Sequence, residues 1–282
     1  MRDKLARSID EGVISRIEKL ASCIVSLSGG LDSAVVLALA RRLLKEGKVL
    51  AVTFDSWLNP WDEIHEARRL CTVLGVEHMV IRGPELSEGK VLGNERSRCE
   101  ICKEARIREL ISIADSRQIE TILDGTNLDD LEDPSRLGNR VLEKYASRIF
   151  SPLAEGKLRK EEIWALAGEL ELDWKGRPST ACLATRFPWN YALDEEQARK
   201  THEAETALLR TGLSRVRVRV FHKMASIEVM PDELEEAFNK RNEYILILKQ
   251  LGFERINLDL EGYRSGREWL DMNKKRRQGG NS

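Results

Sequence analysis

The first twenty positions carry apolar residues at helical spacing, Leu5, Ile9, Val13, Ile14, Ile17 and Leu20, which predicts an amphipathic helix over residues 3–20. The next apolar stretch has no such period. Residues 21–27 form a short continuous run, as a buried strand does, and it stops at Ser28-Gly29-Gly30 before a helical stretch over 31–45. The same order then repeats as strand 49–54, helix 62–74, strand 77–81, helix 99–117 and strand 120–124. Apolar strands alternating with amphipathic helices predict an α/β fold, a parallel sheet with helices on both faces.

Past residue 124 the pattern loosens into two polar, glycine-bearing loops, 127–140 and 175–190, on either side of a helix predicted over 159–172. Loops of that length in a compact domain are more often functional than idle. From 194 on, the predicted order is helix 194–210, strands 214–221 and 225–230, helix 234–251 and strand 255–260. The expected organisation is therefore a first domain over 1–190 and a small α+β domain over 191–270 for substrate binding or oligomerisation. A disordered tail is expected over 271–282, where charge and glycine leave nothing to bury.

Composition narrows the partners. The chain of 282 residues has 46 Lys and Arg against 47 Asp and Glu, a formal charge of −1, so no global field recruits a nucleic acid or a membrane. Its start mixes both signs, and its longest apolar runs, such as 35–40, fall far short of a membrane span, so a cytoplasmic protein is expected. Five cysteines at uneven spacing argue against a disulfide framework and toward core thiols plus a redox or metal site.

Ser28-Gly29-Gly30-Leu31-Asp32-Ser33 stands where a strand ends and a helix begins, so its backbone N–H groups converge on an anion at the positive end of the helix dipole. The glycines let a phosphate approach, and the hydroxyls of Ser28 and Ser33 add donors. Asp32 is out of place beside a polyanion unless it binds or positions Mg²⁺. The plainer reading is a tight turn with a helix cap. Neither the Gly-Lys-Ser/Thr ending of a Walker loop nor the spaced glycines of a dinucleotide fold are present.

Cys99 and Cys102 form Cys-Glu-Ile-Cys near a helix start, with Arg96, Arg98 and Lys103 around them to favour thiolates, and Cys182 lies on the second long loop. Three thiols cannot close a tetrahedral zinc site without a histidine or carboxylate. They can hold a 4Fe-4S cluster with one iron open to an exogenous sulfur. Cys23, inside an apolar strand, and Cys71, at a helical core position, read as buried small hydrophobes. Arg217 and Arg219 alternate with Val216, Val218 and Val220, which places both arginines on one strand face, as an anion site or a solvated surface.

The loop at 28–33 resembles the pyrophosphate loop of the ATP pyrophosphatase (PP-loop) superfamily, which implies cleavage of ATP to AMP and pyrophosphate with adenylylation of a substrate oxygen. In that superfamily the end of the second strand holds adenine, which makes Phe54 either a base contact or a core residue. A closer resemblance, to the LarE family of ATP-dependent sulfur transferases, is carried by the motifs at 27–33, 98–103, 124–130, 151–153, 181–188, 216–219 and 258–266. It implies ATP held by Ser28, Gly29, Gly30, Asp32, Ser33, Phe54, Gly125 and Asn127, with Mg²⁺ at Asp32 and Asp130. The implied substrate is pyridinium-3,5-biscarboxylic acid mononucleotide, with its phosphate on Arg186, Arg217, Arg219 and Arg264, and the product belongs to nickel-pincer cofactor synthesis.

Members of that family differ in sulfur source. Some sacrifice the sulfur of the one cysteine that matches Cys182; those with three cysteines matching Cys99, Cys102 and Cys182 resemble cluster-bearing forms supplied by sulfide or another donor. A catalytic role thus falls on Asp32 and Cys182, with a 4Fe-4S cluster as cofactor, and a homo-oligomer is implied. The chain departs from the family pattern at 133–138, with an apparent extra residue, so Arg136 receives no role, and Trp57 and Trp61 either pack the nucleotide or cover the sheet. The rival readings are a tRNA thiolase of the same superfamily, for which no large basic face is evident beyond the short run 274–277, and a non-catalytic nucleotide- and zinc-binding protein.

Overall fold

A computed structural model describes residues 8–44, 47–60, 62–175 and 181–264. Helix α1 is Glu11–Glu18, shorter than the predicted 3–20, because the Asp10 side chain caps it by accepting from the N–H groups of Gly12 at 2.8 Å and Val13 at 3.3 Å. Residues 3–7 lie outside the described residues. Strand β1 (Ser22–Ser26) leads through the glycine loop into α2 (Leu31–Leu43), and β2 (Lys48–Asp55), α3 (Asp62–Leu74) and β3 (Glu77–Arg82) follow. After a short α4 (Gly89–Leu92) come α5 (Arg98–Ser116), β4 (Thr121–Leu123), α6 (Leu128–Glu132), β5 (Ile149–Phe150), α7 (Pro152–Glu155) and α8 (Lys160–Glu169).

The five strands pair in parallel in the order β3-β2-β1-β4-β5. Alternate residues of one strand feed opposite cores, as the period of two requires. Cys23 and Val25 join α1, α2 and α8 on one face, whereas Ile24 joins Ile107, Leu110 and Ala114 of α5 on the other. Both faces are therefore covered, as expected. β5 escaped the sequence reading because two residues carry no period. The strand order reverses between β1 and β4, and a crevice opens at such a switch point beyond the strand ends. The loop 28–33 follows β1 and the segment 124–127 follows β4, so both belong to that crevice.

The chain divides into two compact units, residues 1–91 with 97–180, and residues 92–96 with 181–282. Against the expected boundary at 190, the division falls ten residues earlier (190 − 180) and draws in a distant short segment. The reason is local: Asn94 Nδ2 lies 3.3, 3.2 and 2.8 Å from the carbonyls of Ala184, Phe187 and Pro188, which binds the cysteine loop to residues 92–96.

The second unit contains α9 (Glu195–Leu209), β6 (Val216–Phe221), β7 (Met224–Val229), α10 (Leu234–Asn239), α11 (Arg241–Gln250) and β8 (Arg255–Leu258). β6 and β7 are antiparallel, and β7 and β8 parallel. Val216, Val218 and Val220 are buried with Ala198, Ala204 and Leu208 of α9. The helix predicted over 234–251 breaks at Lys240, whose ammonium donates to Thr211 O at 2.7 Å and to Glu236 at 2.6 Å. Among the described residues no helix is long and apolar enough to cross a membrane. The tail 271–282 and the basic run 274–277 lie outside them.

Candidate functional site

The loop after β1 is organised by its own side chains. Ser33 Oγ accepts from Ser28 N at 3.1 Å, lies 3.1 Å from Ser28 Oγ and donates to Gly30 O at 3.0 Å, while Ser28 Oγ accepts from Gly30 N at 3.2 Å. Gly29 has φ +90°, and a Cβ there would stand 2.2 Å from Glu63 O. Only glycine fits both constraints. Gly125 is required for a different reason: its Cβ would meet Ser33 N at 2.8 Å, so the turn after β4 lies directly against the loop. Ser28, Gly29, Gly30, Ser33 and Gly125 thus share one small region at the switch point.

Asp32 is the acid of this region, and it is not alone. Lys160 Nζ at the start of α8 donates to its two carboxylate oxygens at 2.7 and 2.6 Å, and Asn127 Nδ2 donates at 3.3 Å. Asn127 also caps α6, accepting from Asp130 N at 2.9 Å, with Asp130 accepting in return from Asn127 N at 3.4 Å. Burial pushes the Asp130 carboxyl up, against the pull of Arg136, which pairs with it at 3.2 Å. That pairing gives Arg136 the structural place its sequence did not. Lys160 is one residue that sequence reasoning missed; its only signal was a helix start rich in lysine and acids.

Beneath these residues Asp124 is buried and fully engaged, accepting from Lys103 Nζ at 2.8 Å, Ser151 Oγ at 2.6 Å, Thr126 Oγ1 at 2.8 Å and Thr126 N at 3.2 Å. Burial alone would raise its carboxyl; the Lys103 ammonium and the hydroxyls outweigh burial and hold it low. Lys103 is therefore bound to Asp124 instead of being reserved for the neighbouring thiols. Cys99 is exposed and Cys102 half-buried, one turn apart in the first turns of the 19-residue α5.

Phe54 is buried in the core with Ile107 and Leu110, and the Arg106 guanidinium lies 5.2 Å from its ring centroid. That burial is the second of the two alternatives the sequence left open for it, a core residue. Trp57 is half-buried and Trp61 lies outside the described residues. Trp174 was not anticipated: its indole Nε1 donates to Gly29 O at 3.0 Å, and its ring meets Trp164 edge-on at 5.5 Å. Glu63, whose carbonyl faces Gly29, has its carboxyl pushed up to about 8 by burial, opposed by Arg106 and reinforced by Asp62.

In the second unit, Cys182 is exposed and begins the 3₁₀ turn Leu183–Arg186. Thr185 is the junction. Its Oγ1 donates to Cys182 O at 2.8 Å and accepts from Arg186 at 3.0 Å and Arg217 at 3.1 Å, and its carbonyl accepts from Arg219. Arg219 also pairs with Glu228 at 3.0 Å. Arg217 has no carboxylate at ion-pair distance among the described residues; its guanidinium lies 5.2 Å from the Tyr263 ring centroid, and burial and the nearby Arg186 guanidinium lower its hold on its proton.

Arg186 is drawn inward. Only 2% exposed, it makes a two-bond pair with Glu205 at 2.9 and 2.9 Å and donates to Ala181 O at 2.7 Å, so it braces the loop. Arg264 is exposed and lies 3.9 Å from Glu261. Cys23 and Cys71 are buried, and burial pushes both thiols up to about 12, which suits core residues and not ligands.

For a metal, no three His, Cys, Asp or Glu side chains form a ready-made set among the described residues. The remaining thiols are of the kind an iron–sulfur group takes as ligands: in the first unit Cys99 and Cys102 share a helix N-terminus whose dipole favours thiolates, and in the second Cys182 is exposed.

Comparison with known proteins extends this picture. Residues 4–89, which include the loop, match the asparagine synthase family. An uncharacterized protein of Synechocystis is 30% identical over 251 residues, 88% of this chain and 92% of its own. A second, of Methanocaldococcus jannaschii, is 28% identical over 242 residues, 86% and 90% of the two chains. The pyridinium-3,5-bisthiocarboxylic acid mononucleotide synthase of Lactiplantibacillus plantarum is 29% identical over 255 residues, 90% of this chain and 91% of that enzyme. With similarity running through both units and not merely through the loop, the chain belongs to the LarE family within the PP-loop superfamily.

Proposed function

We propose that this protein is an ATP-dependent sulfur transferase that adenylylates a carboxylate of pyridinium-3,5-biscarboxylic acid mononucleotide and converts it to a thiocarboxylate. The observation that carries the reading is Thr185, which joins the exposed Cys182 segment to Arg217 and Arg219, so a sulfur-bearing residue and a cationic anion site share one loop. The L. plantarum relative's name supplies the product class, a pyridinium bisthiocarboxylic acid mononucleotide.

In the first half-reaction the ATP phosphates lie on the loop N–H groups and the hydroxyls of Ser28 and Ser33, with Gly125 leaving room. Asp32, with Asp130 nearby on α6, would hold a Mg²⁺ ion that neutralises the phosphates, and Lys160 beside Asp32 adds its ammonium charge to the same region. A substrate carboxylate oxygen attacks the α-phosphorus, the bond to the β-phosphate oxygen breaks, and pyrophosphate leaves. Sulfide then adds to the acyl carbon, and AMP departs with the original carboxylate oxygen. Arg217 and Arg219 hold the substrate phosphate throughout.

Cys99, Cys102 and Cys182 would hold a 4Fe-4S cluster, which when bound supplies an iron open to sulfide. Without a cluster, the Cys182 thiolate would add to the acyl carbon as AMP leaves, and loss of its Cα proton would break the Cβ–S bond, releasing the thiocarboxylate and leaving dehydroalanine at 182. The test offers the carboxylated pyridinium mononucleotide and tRNA in parallel with α-labelled ATP and magnesium. Label transfer to the mononucleotide, with pyrophosphate release and thiocarboxylate detected by mass, is expected; transfer only to tRNA overturns the reading in favour of a tRNA thiolase, and neither transfer favours a nucleotide-binding protein.

A further inference from the structure

The face of the small sheet opposite its core holds residues that the proposed reaction has not yet used. On β6 the alternation that buries Val216, Val218 and Val220 puts Arg217, Arg219 and Phe221 in one row on the other side. Across the antiparallel pairing their neighbours are Glu228, Ser226 and Met224, so the row changes from charged at Arg217 to apolar at Phe221. Arg219 and Phe221 are two residues apart, about 7 Å along the strand, which is of the order of the separation between the phosphate and the base of a mononucleotide.

Phe221 is 49% exposed, so it is not held there by core burial. It is held by other rings. His222 meets it at 4.5 Å, Tyr191 lies 6.3 Å from it and 5.6 Å from His222, and Tyr191 stacks on the buried Phe187 at 5.8 Å. Phe187 directly follows the Thr185-Arg186 brace, so the aromatic cluster and the two arginines are anchored by the same loop. The adjacent cation Lys223 is taken up by Glu254.

We propose that this row is a ring-binding subsite in which Phe221, backed by Tyr191 and His222, stacks on the cationic pyridinium ring of the mononucleotide while Arg217 and Arg219 hold its phosphate. The proposal deepens the function given above and rests on it. An aromatic face attracts a fixed positive charge on a flat ring, and it discriminates against the same ring when that charge is removed.

The test titrates the full chain calorimetrically with nicotinic acid mononucleotide, a pyridinium carboxylate, and with its uncharged 1,4-dihydro form. The wild type is expected to prefer the pyridinium form. Phe221→Leu, which keeps apolar volume without a π face, should weaken pyridinium binding about tenfold and cancel the preference, and Phe221→Tyr should restore both. Because Phe221 is half exposed, these variants retain their fold, which unchanged melting confirms. If Phe221→Leu changes nothing while Arg217→Ala abolishes binding, the ring subsite is overturned and the proposed function stands. If Arg217→Ala also changes nothing, or the wild type binds neither probe, the substrate assignment falls and takes the subsite with it.

Discussion

Lys160 Nζ bridges both carboxylate oxygens of Asp32, at 2.7 and 2.6 Å, across 128 residues of sequence. A carboxylate at the mouth of a phosphate loop repels the ligand it is meant to help bind unless a cation accompanies it, either Mg²⁺ or this ammonium. Lys160→Met should therefore lower kcat/KM for pyrophosphate release about a hundredfold, the scale of losing one charged group that stabilises a transition state. Asp32→Asn should abolish adenylylation even at saturating magnesium, with circular dichroism unchanged. Equal activity of Lys160→Met and wild type would remove the lysine from the site.

The glycines of the site make a steric prediction. A Cβ at Gly125 would stand 2.8 Å from the backbone N of Ser33, with Asp32 C at 3.2 Å. No flexible side chain can yield there. Gly125→Ala should cost about 1–3 kcal/mol in denaturant unfolding and should weaken ATP binding in equilibrium dialysis, because the helix start must shift.

Arg186 should behave as a stability residue. Removing one member of its buried pair with Glu205 leaves the other uncompensated, typically at a cost of about 3–5 kcal/mol. Glu205 also accepts from Val218 N at 2.9 Å, which adds a second broken contact. Urea unfolding of Glu205→Gln and Arg186→Met should both show this loss, in contrast to Arg217→Ala, whose effect should appear in substrate affinity with little change in stability.

Glu63 gives a pH prediction whose sign is unusual for a carboxylate. Its folded value, about 8, stands above the ordinary 4.5. Between those values the folded chain keeps a proton that the unfolded chain has released, so its contribution is present below the lower value and is lost as pH rises. The slope is at most about 1.4 kcal/mol per pH unit. Glu63→Gln should flatten the stability profile between pH 5 and 8 and raise stability at the alkaline end; an unchanged profile would show that the carboxyl titrates normally.

For the thiols, iron and acid-labile sulfide should be measured after anaerobic reconstitution. Iron near four per chain, lost in each of Cys99→Ala, Cys102→Ala and Cys182→Ala, is the expected result for a 4Fe-4S cluster. Retention in Cys71→Ala serves as the control, since that thiol is buried in the core. If no cluster forms in the wild type and turnover stops after one sulfur per chain, Cys182 is a sacrificial donor.

The sequence made the frame legible because strand, glycine turn and helix each leave a local signature. Ser28, Gly29, Gly30, Ser33 and Gly125 do converge, and Gly29 and Gly125 do so for steric reasons that no other residue type satisfies. What was not legible depends on distant partners. Arg186 and Arg217 are the same residue type in comparably basic motifs, yet Glu205 pairs with one in the interior, whereas the other has no carboxylate at ion-pair distance among the described residues. Lys160 reaches Asp32 only because α8 starts beside α6, a placement set by Asp129, which accepts from Lys160 N at 2.9 Å and Arg159 at 2.6 Å. Phe54 shows the same limit, since burial is decided by α5 and not by its own strand.

The hydrogen bond from the Trp174 indole to the Gly29 carbonyl gives the phosphate loop a built-in optical reporter. Indole emission responds to the strength and direction of its N–H bond, and here that bond ends on the peptide whose orientation a bound phosphate must share. Filling or emptying the loop is thereby converted into a change of colour or intensity at Trp174, with Trp164 beside it as a partner for energy transfer. Nucleotide arrival can then be timed in a stopped-flow experiment without any label.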